Sequence, residues 1–346
     1  MSPLKHGPGE NEEVELVPWL WGVLFEEGQG RPIYSEPTLM EDLDGLDDNV
    51  RQVAFPSWNY AFPGVPSKLP NGVILTENGD IKDWNPSSRG ANHSMISVES
   101  LIRSPLRIAK LSTGHVHFAA VSTEGVMLTF GIGANGRLGH GGIADCLNPT
   151  PVAALAGVYI MDVACGADFT LALSDVGDVY STGSNSSGVT GHGTADGTTL
   201  SPRVIRELGN KHVSQIAAGD FHAVAVVSES NNDGDIVYGW GTGTSGELGN
   251  GNDQDCHIPT RMINLDGMDI VNVSLGLFHT GVVTKEGQVL VTGGNNYGQL
   301  GLNDLEQRNS PMLVETFQQN TEIIAAISFC GHSSVALTKN GDVYEW

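Results

Sequence analysis

The amino-acid sequence predicts an all-β fold, a β-propeller built from repeated units of four short strands. Two observations carry this prediction. Glycine supplies 45 of the 346 residues, about twice its average share, which is typical of many tight turns between short strands. A glycine-centred pattern also recurs at a nearly constant interval along most of the chain, and such regular repeats indicate units that bury their faces against one another.

The first half of each repeated unit consists of two apolar runs on either side of a glycine. Residues 216–226 are a clear example, in which Gly219 is followed three positions later by His222. The apolar residues alternate or run in fours and fives, which indicates strands rather than a helical face. A degenerate copy lies near Phe55, and the glycines of the other copies are Gly114, Gly166, Gly219, Gly276 and Gly331.

The second half of the unit begins with a short apolar strand that ends in glycine. A turn rich in Asn and Gly follows, then a Leu-Gly pair and, further on, a proline. The best copy spans residues 287–301 and is followed by Pro311. Each pair of halves therefore predicts four strands, and a four-stranded unit needs neighbours to cover both of its faces.

The number of halves predicts the number of blades. Six first halves and six second halves favour six blades, although a ring of seven is an alternative. The sequence stops at Trp346 in the middle of a unit, and residues 19–22 resemble the missing second half. We therefore expect strands from both termini to close the ring, with an acidic disordered tail at residues 1–13 and the propeller at 14–346.

The phased motif resembles the repeat of the RCC1 (regulator of chromosome condensation) family. This family includes nucleotide-exchange factors, adaptors, a photoreceptor and an enzyme inhibitor, so the resemblance implies the propeller fold and leaves the function open. In length and acidity the chain is most similar to the small adaptor members of the α-tubulin suppressor type. The residues that carry the resemblance are Gly276, His279, Thr280, Gly293, Asn295, Gly298, Gln299, Leu300, Gly301 and Pro311.

Charge and hydropathy exclude several classes of partner. The chain has 17 basic and 40 acidic residues, a net charge of -23, which opposes binding to nucleic acid or to an anionic membrane. No apolar run is long enough to be a candidate membrane span. The polar N-terminus lacks the pattern of a signal peptide. We therefore expect the four cysteines to be free thiols in a reducing compartment, the cytoplasm, the nucleus or both.

Two kinds of motif indicate cofactors or metals, and both have a simpler structural interpretation. Residues 131–136 and 241–246 match GxGxxG, but no helix is predicted after them, so we interpret both as turns between strands. The histidines at the first-half position belong to different blades and cannot converge on one metal ion. Cys165 and Cys330 precede repeat glycines and are predicted to be core residues. The sequence thus predicts no cofactor and no metal.

The loops that follow the repeat glycines contain the candidate interaction residues. In exchange-factor members of the family, acidic residues in these loops meet a GTPase, and the matching positions here are Asp168 and Asp220, with His279 completing a polar trio. An alternative is that both carboxylates only accept hydrogen bonds from turn amides. A semi-rigid insertion supplies the further candidates Pro66, Lys68 and Leu69, because binding residues concentrate on loops.

From these observations we expect a non-enzymatic, monomeric propeller that binds a protein with a basic surface. The resemblance implies two kinds of partner, a small GTPase or a small zinc-ribbon protein. The alternative function is guanine-nucleotide exchange on a small GTPase. The photoreceptor branch of the family is not expected, because tryptophan never follows the repeat glycine.

Overall fold

The structure is a computed structural model that describes residues 19–20, 38–39, 50–54, 72–84, 101–102, 106–228 and 234–346. Within these ranges all strand pairs are antiparallel, which confirms the all-β prediction. One short helix, α1, spans Glu315–Gln319. None of the helices in the described part of the chain is long and apolar enough to cross a membrane.

The strands form sheets in which neighbours in sequence are neighbours in space. A two-stranded ladder pairs β1 (Trp19–Leu20) with β2 (Thr38–Leu39). Sheet 1 contains β3 (Val50–Ala54), β4 (Gly72–Thr76), β5 (Ile81–Trp84) and β6 (Leu101–Ile102). Sheet 2 contains β7 (Ile108–Thr113), β8 (His117–Ser122), β9 (Met127–Gly131) and β10 (Cys146–Pro151). Sheet 3 contains β11 (Ile160–Cys165), β12 (Phe169–Ser174), β13 (Val179–Ser184) and β14 (Thr198–Val204).

The remaining sheets follow the same order. Sheet 4 contains β15 (Val213–Ala218), β16 (His222–Val227), β17 (Ile236–Gly241) and β18 (Cys256–Arg261). Sheet 5 contains β19 (Ile270–Leu275), β20 (His279–Thr284), β21 (Val289–Gly293) and β22 (Arg308–Leu313). Sheet 6 contains β23 (Ile324–Cys330), β24 (Ser333–Thr338) and β25 (Val343–Glu345).

The predicted number of complete blades needs correction. The described residues form five four-stranded blades, whereas six or seven were predicted. Sheet 6 has three strands. In sheets 2 to 5 a loop separates the third strand from the fourth, as between β9 and β10. The strand at Trp19–Leu20, predicted to complete the blade of sheet 6, pairs with Thr38–Leu39. Closure of the ring stays a prediction, and residues 1–13, the predicted tail, lie outside the described residues.

A β-bulge recurs near the start of the first strand in all six sheets. The register shifts after the first paired residue in every case. Beyond the bulge, a polar side chain bonds the backbone of the next sheet. Gln52 bonds both the amide and the carbonyl of Leu111, and Asn272 accepts a hydrogen bond from the amide of Ile327 at 2.8 Å. The bulge therefore helps to set the spacing between successive sheets.

The hydrophobic core lies between the sheets. Five clusters of buried side chains in the described residues each combine residues from two successive sheets. In one of them Leu171 of sheet 3 packs with Trp240 of sheet 4. The Trp240 indole is fully buried, and its Nε1 donates to the carbonyl of Val189 at 2.9 Å. Packing between units thus supplies the burial that one unit cannot supply for itself, as the repeat predicts.

Candidate partner-binding face

The turns between the first and second strands of sheets 2 to 6 meet at one face. We call residues 114–116, 166–168, 219–221, 276–278 and 331–332 the glycine loops. Backbone hydrogen bonds join the loops of sheets 2 and 3, of sheets 3 and 4, and of sheets 5 and 6. The amide of Ala167 donates to the carbonyl of Asp220 at 3.1 Å, and the amide of Leu277 donates to the carbonyl of Gly331 at 2.9 Å. The side chains of neighbouring loops are therefore brought side by side.

Packing explains why the loops of sheets 2 to 5 begin with glycine. A Cβ on Gly166 would overlap the ring of Phe169. A Cβ on Gly114 would meet both the imidazole of His117 and the carbonyl of Gly166 in the next loop. Only glycine, which has no side chain, leaves room both for the ring three positions later to lie beneath the loop and for the neighbouring loop to approach closely.

Three buried histidines lie beneath the glycine loops and join neighbouring sheets. Each Nε2 bonds a hydroxyl of the next sheet, which donates in turn to a backbone carbonyl. This order assigns the proton to Nε2. The histidine, the hydroxyl residue and the residue whose backbone carbonyl accepts are His117, Thr170 and Arg137 in the first set, with 2.9 Å between Nε2 and the hydroxyl. They are His222, Thr280 and Glu247 in the second set (2.8 Å), and His279, Ser334 and Gln299 in the third (3.0 Å).

The buried histidines are neutral. Burial lowers the pKa of His117 to about 3, that of His222 to about 4 and that of His279 to about 3. Sequence analysis placed His279 in a polar trio with two carboxylates, but its imidazole is fully buried and stacks on Phe329, with 4.6 Å between ring centroids. The structure therefore does not bring His279 onto the exposed surface.

Asp168 lies on the surface and pairs with a buried arginine. Its Oδ1 lies 2.8 Å from Nη1 of Arg137, and its Oδ2 accepts a hydrogen bond from Asn135 at 3.3 Å. Arg137 is buried, and its Nε donates to the carbonyl of Ala134 at 2.8 Å. Burial lowers the pKa of Arg137, and the charge of Asp168 opposes this effect. Asp168 therefore compensates a buried charge in the preceding repeat.

Asp220 lies in a polar cluster formed by several glycine loops. Its Oδ2 is 2.9 Å from Nε2 of His115, which is two sheets away. Burial lowers the pKa of His332, and the charge of Asp220 opposes this effect. Burial raises the pKa of the Cys330 thiol, and the charge of Asp220 adds to the rise. The carboxylate of Asp220, in the loop of sheet 4, thus interacts with residues in the loops of sheets 2 and 6.

A row of aromatic rings continues from Asp220 across the loops of sheets 4 to 6. We call Phe221, Phe278, His332 and Tyr297 the aromatic arc. Ring centroids are 6.4 Å apart for Phe221 and Phe278, 6.1 Å for Phe278 and His332, and 4.6 Å for His332 and Tyr297. Phe221 is 38% exposed and Tyr297 is 72% exposed. The arc is therefore a contiguous aromatic surface, which is typical of interaction sites.

Glu247 carries a buried carboxyl at the position that Arg137 occupies in sheet 2. Its Oε2 accepts a hydrogen bond from the amide of Ser245 at 2.7 Å, whereas Oε1 is buried and lacks a hydrogen-bond partner among the described residues. Burial raises the pKa of Glu247 to about 7, and the charges of Asp255 and Asp253 add to the rise. Glu247 is therefore about half protonated near neutral pH.

Sequence comparison identifies the family. The family model of the RCC1-like domain matches residues 77–346 of the sequence. The chain belongs to the RCC1-like family. It is 35% identical over 241 residues to the Arabidopsis thaliana ultraviolet-B receptor UVR8, covering 69% of this chain and 53% of the relative. It is 33% identical over 277 residues to the human E3 ubiquitin-protein ligase HERC2, covering 78% of this chain and 6% of the relative. The chain thus spans about half the length of UVR8 and a small part of HERC2.

Solved structures support the same fold. Human WBSCR16 superposes with a TM-score of 0.65 at 20% identity, covering 89% of this chain and 91% of that protein. Prp20p of Saccharomyces cerevisiae superposes with a TM-score of 0.63 at 19% identity, covering 79% of this chain and 66% of that protein. At these identities the likeness shows the fold alone, and it confirms the RCC1-like propeller.

In this RCC1-like propeller the two GxGxxG segments are turns, as predicted. Residues 131–136 close a strand and enter a single 3-10 turn. The amide of Gly133 bonds the carboxylate of Asp145 at 2.9 Å, and the amide of Gly243 bonds that of Asp255 at 3.0 Å. These amides, which a phosphate would need, are occupied by the chain's own carboxylates.

The cysteines are only partly as predicted. All four are free thiols. Cys165 is buried, and burial raises its pKa to about 12, as expected for an inert core residue. Cys330, predicted in the core, is exposed. The reason is that β23 alternates between buried and exposed positions and ends on an exposed one, whereas the last positions of β11 are all buried. The described residues contain no cluster of side chains suited to a metal ion.

The structure also reveals functional candidates that sequence reasoning missed. Arg137, Glu247 and the aromatic arc were not singled out. The sequence contained one signal for two of them. The residue before the Leu-Gly pair is Arg137, Glu247 or Gln299 in three repeats, so it is charged in two of them. All three side chains are buried in the structure. The predicted loop candidates Pro66, Lys68 and Leu69 lie outside the described residues.

Proposed function

We propose that the chain is a non-enzymatic recognition propeller that binds a protein partner through the glycine-loop face. The observation that carries this proposal is the juxtaposition of Asp168, Asp220 and the aromatic arc on adjoining loops. Aromatic residues are enriched where proteins bind one another. Both acidic groups and the net charge of -23 favour a partner with a basic surface.

Affinity capture with the full chain tests this proposal. The wild-type chain should retain a protein that is lost on Asp168→Asn and Asp220→Asn, which remove the two charges and keep the side-chain shapes. Asp175→Asn is the matched control, because Asp175 is an exposed acidic residue in the hairpin turn at the other end of the sheet 3 strands. Partners retained equally by all variants would contradict the proposed face.

The second candidate function is guanine-nucleotide exchange on a small GTPase. Its support is the exposed carboxylate of Asp168, the glycine-loop position of the less exposed Asp220, and the similarity of the fold to Prp20p, whose structure was described together with its binding to Gsp1p and histones. Release of labelled GDP from a panel of small GTPases tests it. Acceleration by the wild-type chain that is lost on Asp220→Asn supports exchange, whereas release at the uncatalysed rate contradicts it.

Two further features belong to the same proposal. A small zinc-ribbon protein is a second kind of partner that the captured fraction can reveal by mass spectrometry. We also assign the protein to a reducing compartment, the cytoplasm or the nucleus, because its four cysteines are free thiols. Labelling of the protein with a cell-impermeant thiol reagent on intact cells would contradict this assignment.

A further inference from the structure

We propose that the aromatic arc, together with Asp220, is a binding site for an arginine side chain from a flexible segment of the partner. This inference rests on the proposed function and narrows it to one half of the face. It names the chemistry of the contact: a guanidinium group that stacks on aromatic rings and is attracted by a nearby carboxylate.

The rings form a connected surface. Phe221 and Tyr297 are well exposed although both are large, and Phe278 and His332 link them by ring contacts of 4.6 to 6.4 Å. The arc draws its members from three different repeats. Scattered exposed aromatic residues need no explanation, whereas a contiguous row that joins four loops indicates a surface built for contact.

Carboxylates lie near the arc. Asp220 precedes Phe221 directly in the chain, and its carboxylate, 15% exposed, interacts electrostatically with His332. Asp168 lies in the adjoining loop and pairs with the buried Arg137, and Arg308, which follows the loop that holds Tyr297, pairs with Asp304. Both of these arginines are therefore already paired with carboxylates. Aromatic faces are themselves negative, so both features favour a cation over a neutral or acidic group.

The geometry of the rings favours arginine over lysine. The rings are tilted by 29° to 44° relative to their neighbours, so they present flat surfaces side by side rather than a closed cage around a point charge. A planar guanidinium can stack flat on such a surface and direct N–H groups in its own plane to a carboxylate at the edge, whereas an ammonium group is a compact point charge that has no plane to stack.

Peptide binding tests this site. The probe is a fluorescein-labelled peptide with three arginines separated by pairs of glycines, and its counterparts carry lysine or the neutral isostere citrulline. Fluorescence anisotropy is measured with the full chain at 150 mM NaCl. We expect the arginine peptide to bind more tightly than the lysine peptide and the citrulline peptide to bind least. Equal binding of arginine and citrulline peptides would overturn the proposal.

Variants that keep the net charge separate the arc from the general acidity of the protein. Phe221→Ala, Tyr297→Ala and their combination should each weaken arginine binding about two- to thirtyfold, the range from exposed to desolvated cation–π contacts. Tyr159→Ala is the matched control, because Tyr159 is exposed and precedes the opposite end of a first strand. Both aromatic residues are exposed, so folding should be unchanged, which circular dichroism checks. A double variant that binds like the wild type refutes the site.

The same variants distinguish failure of this inference from failure of the proposed function. A captured partner that is lost on Asp168→Asn but retained by the Phe221→Ala/Tyr297→Ala double variant would refute the arginine site while supporting the face. A partner that is lost on the double variant and is competed by the arginine peptide supports both.

Discussion

Replacing Glu247 by glutamine should make the protein more stable than the wild type, and increasingly so as the pH rises. The carboxyl of Glu247 is buried, its Oε1 lacks a partner among the described residues, and the nearby charges of Asp253 and Asp255 are also negative. Glutamine can keep the hydrogen bond from the amide of Ser245. Gln299 does so at the equivalent position of the next repeat, where its Oε1 accepts from the amide of Tyr297 at 3.0 Å.

The magnitude follows from the change in pKa on folding. The pKa of Glu247 rises from 4.5 to about 7 in the folded protein. Between these values the folded protein holds a proton that the unfolded chain releases, so stability falls as the pH rises through this window. At about 1.36 kcal/mol per pKa unit, the penalty above pH 7 reaches about 3 kcal/mol. Glutamine does not ionise, so the advantage of the variant should grow by about 2–3 kcal/mol between pH 4.5 and 8.

Urea unfolding at a series of pH values measures this difference, with tryptophan fluorescence as the signal. Other titrating groups are common to both proteins and cancel in the comparison. Gln299→Glu is the reciprocal variant and should acquire the same pH dependence, because Gln299 is also buried. Glu286→Gln, in an exposed turn, should change nothing. Parallel stability curves for Glu247→Gln and the wild type would refute the assigned burial of this charge.

Three further outcomes test the packing beneath the face. Thr280→Val should destabilise the protein by about 1–3 kcal/mol, because the buried N–H of His222 loses its acceptor, and urea unfolding measures this loss. Gly166→Ala should lower the melting temperature strongly because its Cβ overlaps Phe169, whereas Gly142→Ala, with no atom within 4 Å of a Cβ, should not. Stability should also fall below pH 6.5 by up to about 1.4 kcal/mol per pH unit for each buried histidine, whose pKa is lowered to about 3 or 4. An unchanged unfolding midpoint between pH 6.5 and 4.5 would contradict their burial as neutral groups.

The sequence predicted the parts of the fold that repeat. The evenly spaced glycines and the histidines three positions later were recognisable because each is required for packing in several copies. The interpretation of His117 and His222 as structural, rather than metal-binding, agrees with their burial and their hydroxyl partners in the next sheet. Repetition made both the strands and these contacts visible from one sequence.

The parts that were missed depend on contacts between different repeats. Asp168 was given two interpretations, a partner-binding carboxylate or a turn-forming one, and its partner Arg137 belongs to the preceding repeat. Likewise, Tyr297 and His332 are distant in sequence and meet only because sheets 5 and 6 pack together. Such pairs leave no periodic signal. The count of complete blades was wrong for a related reason, because counting halves does not show which strands pair.

The repeat also explains where specificity can reside on this face. In sheets 2 to 5 the glycine and the residue three positions later are fixed by packing, because the ring of the second lies beneath the first. The two residues between them face the neighbouring loops and vary freely from copy to copy. They read Ala167-Asp168 in sheet 3, Asp220-Phe221 in sheet 4 and Leu277-Phe278 in sheet 5. One scaffold thus presents charge at one side of the face and aromatic rings at the other, so variants at these positions should alter partner choice while leaving the fold intact.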